Sequence, residues 1–118
     1  MAQHGDIINP GVHVKNVHVK GAGGGTATVT IAANPDEFWA IARIDWSWSA
    51  TQGGNITVTY AGSTDPIWEH HAASHGYGYA DFKFPTFLHN NFTKNQELKV
   101  VMSSAGGSVV PRLTVHYC

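Results

Sequence analysis

The stretch from Glu37 to Tyr60, EFWAIARIDWSWSATQGGNITVTY, constrains the fold of this chain more than any other. In its first half Phe38, Ala40, Ala42, Ile44, Trp46 and Trp48 alternate with Trp39, Ile41, Arg43, Asp45, Ser47 and Ser49. In its second half Ile56, Val58 and Tyr60 alternate with Thr57 and Thr59. A period of two means extended strand, because successive side chains point to opposite faces. Thr51-Gln52-Gly53-Gly54 supplies a turn, so the stretch reads as a β-hairpin with one apolar and one mixed face. A lone hairpin is marginal in water, and the rest of the chain is expected to cover the face carrying Phe38, Ile44, Trp46 and Trp48.

Further short strands bounded by turn residues follow the same logic. Val12, Val14, Val17 and Val19 suggest a first strand with a bulge at Lys15-Asn16. Thr26 to Ala33 reads as a second, with Ala27, Val29 and Ile31 inward. Beyond the central stretch come a short strand around Pro66 to His70 and a small-residue loop over 71–78. Tyr79 to Phe84 then alternates, with Ala80, Phe82 and Phe84 on one face. Asn95 to Ser103 carries Leu98, Val100 and Met102 inward. Ser108 to Tyr117 is the last strand, and Pro111 within it argues for an edge or a bulge. No helical period of any length is present. About eight strands at this spacing predict an all-β fold, an antiparallel two-sheet β-sandwich of jelly-roll type. Residues 1–11 read as a polar arm and 12–118 as one domain, since 118 residues suit a single core.

Composition narrows the function classes. A hydrophobic fraction of 42% against 13% charged residues fits a folded, weakly charged protein. Net charge is −1 with histidine neutral and there is no basic cluster, so neither nucleic acid nor an anionic membrane is an expected partner. No apolar run approaches the roughly 20 residues of a membrane helix. The first residues, MAQHGDIINP, carry no apolar signal core, and Cys118 is the single cysteine; both point to synthesis in a reducing cytosol.

The densest group of metal-ligand types is Glu69-His70-His71 with His75 four residues on. His70 and His71 are adjacent and point oppositely in a strand, so only one of them could act with His75. Ordinary loop histidines are the favoured reading, and no cofactor is expected. Trp39, Trp68, Tyr77 and Tyr79 are the candidate partner-interface residues, either as a sugar-stacking platform or as a subunit contact, with Trp46 and Trp48 left to the core. Arg43 and Asp45 share a face and read as a cross-strand ion pair rather than catalysts. No nucleophile elbow, Ser/His/Asp set or carboxylate pair is found, and the glycines at 21–25 precede a strand rather than a helix, unlike a phosphate-binding loop. No catalytic residue is assigned.

The run Ile44-Asp45-Trp46-Ser47-Trp48-Ser49, the turn Thr51-Gln52-Gly53-Gly54 and Ile56-Thr57-Val58 resemble a pattern found in small tailed-bacteriophage virion proteins. So do Phe82-Lys83-Phe84-Pro85 and the closing Ala105-Gly106-Gly107-Ser108-Val109 that leads to Leu113-Thr114-Val115. The resemblance covers some two thirds of the chain, and its motifs are strands and turns. It implies a capsid decoration or cement protein, made in the host cytoplasm and carried on the virion. It also implies capsid or other virion proteins as partners, a homo-oligomer with a trimer favoured, and no catalysis. The histidine-rich segment 69–79 and Cys118 depart from the pattern. Two other classes stand beside it: a carbohydrate-binding module using the aromatics above, and a metal enzyme of cupin type. For the latter, His13 and His18 lack the His-X-His spacing and the following Glu and Gly that such a site requires.

Overall fold

The structure, a computed structural model, describes residues 14–51, 53–72, 76–83 and 86–118. Among the described residues nine strands form two antiparallel sheets: β1 (Lys15–Lys20), β2 (Ala27–Ile31), β3 (Ala40–Trp48), β4 (Asn55–Tyr60), β5 (Trp68–His71), β6 (Tyr77–Asp81), β7 (Leu88–His89), β8 (Leu98–Met102) and β9 (Pro111–Tyr117). Sheet A runs β1-β9-β3-β6, with β7 also on β3, and sheet B runs β2-β8-β4-β5. From β1 to β6 the chain moves from one sheet to the other in pairs and single steps, and β8 and β9 return to the middle of each. This is the jelly-roll order expected from the strand spacing. The two-residue β7 is the extra strand. The arm at 1–11, Val12, His13, Gln52, His75, Phe84 and Pro85 lie outside the described residues.

Inner faces are built by alternation. Ala27, Val29 and Ile31 on β2, Ile56, Val58 and Tyr60 on β4, and Leu98, Val100 and Met102 on β8 are all buried. Sheet A meets them with Ile44, Trp46 and Trp48 on β3 and Leu113 and Val115 on β9. Each fully buried aliphatic side chain here contributes roughly 1.5–3 kcal/mol by leaving water. The indole of Trp48 also donates to the Ser103 carbonyl at 3.1 Å, satisfying its one polar atom.

Three sequence expectations are corrected. The stretch Glu37–Tyr60 is not a hairpin: β3 pairs with β9, β6 and β7, whereas β4 pairs with β5 and β8. Alternation specifies a strand's buried face but not its neighbour, and here the two apolar faces meet across the core instead of side by side. Gly53 sits against the Trp48 ring where the chain leaves one sheet for the other, and a Cβ there would stand 2.1 Å from the ring.

The second correction lies within β3. Its register with β9 shifts between Ile41 and Arg43, a β-bulge at Ala42. A single extra residue reverses which side chains face inward. Trp39 and Ile41, expected on the mixed face, are therefore core residues at 8% and 0% exposure. Trp39 donates its indole N–H to the Ala32 carbonyl at 3.0 Å. Phe38, expected in the core, is instead part-buried and packs edge-on against Phe92 and His89. The shift also divides this edge of β3: β6 pairs with Arg43 to Ser47, and β7 with Ala40 and Ile41.

The third concerns the outer strands. The expected bulge at Lys15-Asn16 is absent, since β1 pairs with β9 in unbroken register from Lys15↔Tyr117 to Lys20↔Arg112. Pro111 is buried and β9 lies between β1 and β3. Proline is tolerated in this central strand because it is the first residue, where no ladder N–H is required.

The sheets are also joined by Tyr60, whose hydroxyl donates to the Trp39 carbonyl at 2.8 Å. Burial, with a smaller contribution from nearby Cys118, pushes its phenol well above the ordinary value of 10.0. A phenol with a raised folded-state value stabilises the fold fully below its unfolded value, and that contribution is lost as pH rises beyond it. Stability of the wild type is therefore expected to fall above about pH 10. Tyr60→Phe, though less stable at neutral pH by about 1 kcal/mol, should show a shallower fall in urea midpoints over the same range.

Two glycine substitutions separate collision from backbone strain. Gly53→Ala is expected to cost about 1–3 kcal/mol in urea unfolding, because the rigid, buried Trp48 ring cannot move aside. Gly62→Ala meets nothing within 4 Å and bears only the strain of its φ of +71°, about 1 kcal/mol.

Candidate recognition face on sheet A

The outward side chains of sheet A form three rows across four strands, fixed by the pairing registers. One row is Asn16, His116, Arg43 and Asp81, from β1 through β9 and β3 to β6. The next is His18, Thr114, Asp45 and Tyr79, and the third is Lys20, Arg112, Ser47 and Tyr77. Strand spacing of about 4.8 Å makes each row roughly 14 Å long.

Arg43 and Asp45 are two residues apart on β3 and form a forked ion pair. The Arg43 Nε donates to both carboxylate oxygens at 3.0 and 3.1 Å, and Nη2 donates to Oδ1 at 2.9 Å. The His116 Nε2 lies 3.2 Å from Asp45 Oδ2, bringing β9 into the same network. Hydrogen bonding to Asp45 raises the Arg43 guanidinium further above its ordinary value, so it is a fixed cation. The guanidinium carbon also lies 4.2 Å from the centroid of the Tyr79 ring, a cation–π contact. The sequence reading of Arg43 and Asp45 as an ion pair holds, but it runs along one strand rather than between two.

The Tyr77-Gly78-Tyr79 sequence has a packing cause. Gly78 faces inward, and a Cβ there would stand 3.0 to 3.2 Å from the Trp46 ring. Its neighbours then point outward, with Tyr77 and Tyr79 exposed at 73% and 60%. Their Cα atoms are about 7 Å apart along the strand. At the other end of the face Lys20 and Arg112 stand directly opposite each other across β1 and β9. Like charges so placed repel.

Of the four aromatics singled out in the sequence, the structure brings Tyr77 and Tyr79 together on this face. Trp68 is on β5 in sheet B, half-buried, 5.5 Å edge-on from Phe82 and 6.3 Å from Trp46. Trp39 is corrected to a core residue, since its burial and its bond to Ala32 leave it little surface for a partner. His70 and His71 do point to opposite sides: His70 stacks inward on Trp46 and Trp68, whereas exposed His71 bonds Asn55 at 2.6 Å. Among the described residues no group of three or more His, Cys, Asp or Glu side chains comes together. Sequence reasoning missed His116, Lys20 and Arg112, whose place depends on the registers of β1 and β9 with β3.

No family model and no curated protein matches the sequence. Solved structures that resemble it include the carbohydrate-binding module CBM36 in complex with calcium and xylotriose. That likeness has a TM-score of 0.48 and 10% identity, and covers 92% of this chain and 90% of the module. The periplasmic g-type lysozyme inhibitor PliG of Aeromonas hydrophila has a TM-score of 0.44 at 14% identity, covering 92% and 90%. The capsid of Helicobacter pylori bacteriophage KHP30 has a TM-score of 0.44 at 12% identity, covering 89% and 92%.

Both members of the Arg43–Asp45 pair are over a third exposed, at 41% and 36%. Asp45→Ala is therefore expected to cost under about 1 kcal/mol in urea unfolding, because solvent screens the pair. A loss of several kcal/mol would mean that the pair holds the sheet together instead of presenting Arg43.

Proposed function

We propose that the chain is a non-catalytic structural protein of a bacteriophage particle, a capsid decoration protein that attaches to the outer shell and stabilises it. The resemblance to phage virion proteins supports this reading, and its motifs now have structural meaning. Ile44, Trp46, Trp48 and Val58 are core, and Gly53 is the crossing between sheets. The observation that carries the non-catalytic part is that Lys20, Arg43, Asp45, Arg112, Tyr77 and Tyr79 spread over an open sheet face, a form suited to contact with something large. Its partners are capsid or other virion proteins, and it works as a homo-oligomer, with a trimer favoured.

A second reading, compatible with the first on one particle, is a carbohydrate-binding surface. It is favoured by Tyr79, whose exposed ring has Arg43 against it, and by Tyr77 beside it on the same strand. Trp68, on β5 of sheet B and packed against Trp46 and Phe82, lies apart from this pair.

Purified chain mixed with heads of the phage whose genome carries this sequence is expected to co-sediment and saturate. The copy number per head, measured by mass, should match the shell lattice. Absence of saturable binding would remove the decoration role.

A further inference from the structure

We propose that the outer face of sheet A binds an acidic oligosaccharide, with sugar rings on Tyr77 and Tyr79 and its anionic groups on Lys20 and Arg112. This rests on the carbohydrate-binding reading and adds to it the charge and length of the ligand.

The face carries three basic side chains, Lys20, Arg43 and Arg112, against two acidic ones, Asp45 and Asp81. These charges are unevenly matched. Arg43 is bonded to Asp45 and also feels Asp81. Lys20 and Arg112 are both exposed and directly opposed, and among the described residues neither has an acidic partner. A like-charged cross-strand pair is unfavourable by itself and becomes favourable when an anion sits over both. The chain as a whole is at −1, so this positive corner runs against its net charge.

Tyr77 lies in the same row as that corner, with Ser47 between. The neighbouring row carries Tyr79, Asp45, Thr114 and His18, and His18 Nδ1 is 2.8 Å from Thr114 Oγ1. Aromatic rings at one side, the Ser47 and Thr114 hydroxyls with the Arg43-bonded Asp45 carboxylate in the middle, and paired cations with His18 at the other side follow one another over about 14 Å. A single sugar is too short for this distance, and an oligosaccharide laid across the strands covers it. The C–H faces of its rings stack on tyrosine, its hydroxyls meet Ser47 and Thr114, and its acid groups meet Lys20 and Arg112. An acidic peptide fits less well, because an extended backbone finds its hydrogen-bond partners at a sheet edge, not on a face.

Isothermal titration of the full chain tests the proposal with four probes: oligogalacturonate, a heparin oligosaccharide, a neutral cello-oligosaccharide and polyglutamate. At least one acidic saccharide is expected to bind, with affinity that falls as salt rises. Lys20→Gln combined with Arg112→Gln should weaken it by about tenfold or more and flatten the salt dependence. Tyr77→Ser combined with Tyr79→Ser should weaken it while leaving the salt dependence in place. All four positions are exposed, and an unchanged melting temperature confirms that each variant is folded. Neutral sugar bound as tightly as acidic sugar, with no effect of the charge variant, overturns the proposal and leaves the carbohydrate reading standing. Polyglutamate bound as tightly as the saccharides also overturns it, in favour of an acidic protein partner. Binding of no probe removes both readings.

Discussion

The bulge at Ala42 is the constraint on which the rest of the structure depends. A strand running from Trp39 to Trp48 with strict alternation could bury either Trp39 and Ile41 or Ile44, Trp46 and Trp48, but not both groups. One extra residue brings both to the same side of sheet A. The wide apolar face that results is what sheet B packs against, and β4 and β8 supply its counterpart. The same shift leaves Arg43, Asp45 and Ser47 outward together in the strand next to β6. Core and recognition face thus have one local cause.

That dependence also separates what the sequence makes legible from what it hides. Strands β2, β4 and β8 are regular and two-faced, and the inward residues read from them, from Ala27 to Met102, are the buried ones. The all-β class and the sandwich follow directly from such strands and from the turns between them. Pairing partners do not. Gly53 and Gly54 look like a hairpin turn because nothing local distinguishes a turn within a sheet from a crossing between sheets. The Trp48 ring beneath Gly53 decides the matter, and that contact is tertiary. In the same way, tryptophan has the same spelling in Trp39 and Trp46, and only the bulge between them explains why both are buried.

The candidate face was legible in pieces. Tyr77 and Tyr79 were named from their type, and Arg43 with Asp45 from their spacing. Their association could not be read, because it depends on β6 lying beside β3 in the register Asp45↔Tyr79. Lys20 and Arg112 are separated by most of the chain and become neighbours only through the pairing of β1 with β9. The glycine between the tyrosines has its explanation in a ring on another strand, so its role too emerges only from the packed sandwich.

The position of β9 bears on how the molecule comes to be made. It is the latest of the described strands, yet it occupies the gap between β1 and β3. A ribosome delivers β1 and β3 long before the strand that joins them, so sheet A stays open until β9 follows. Sheet B has the same delay on a smaller scale, since β8 must enter between β2 and β4. Long-range pairings of this kind fold slowly. The nascent chain therefore carries the apolar faces of β3 and β4 without β9 and β8 beside them, and its passage through that stage depends on closing each sheet once its central strand has been delivered.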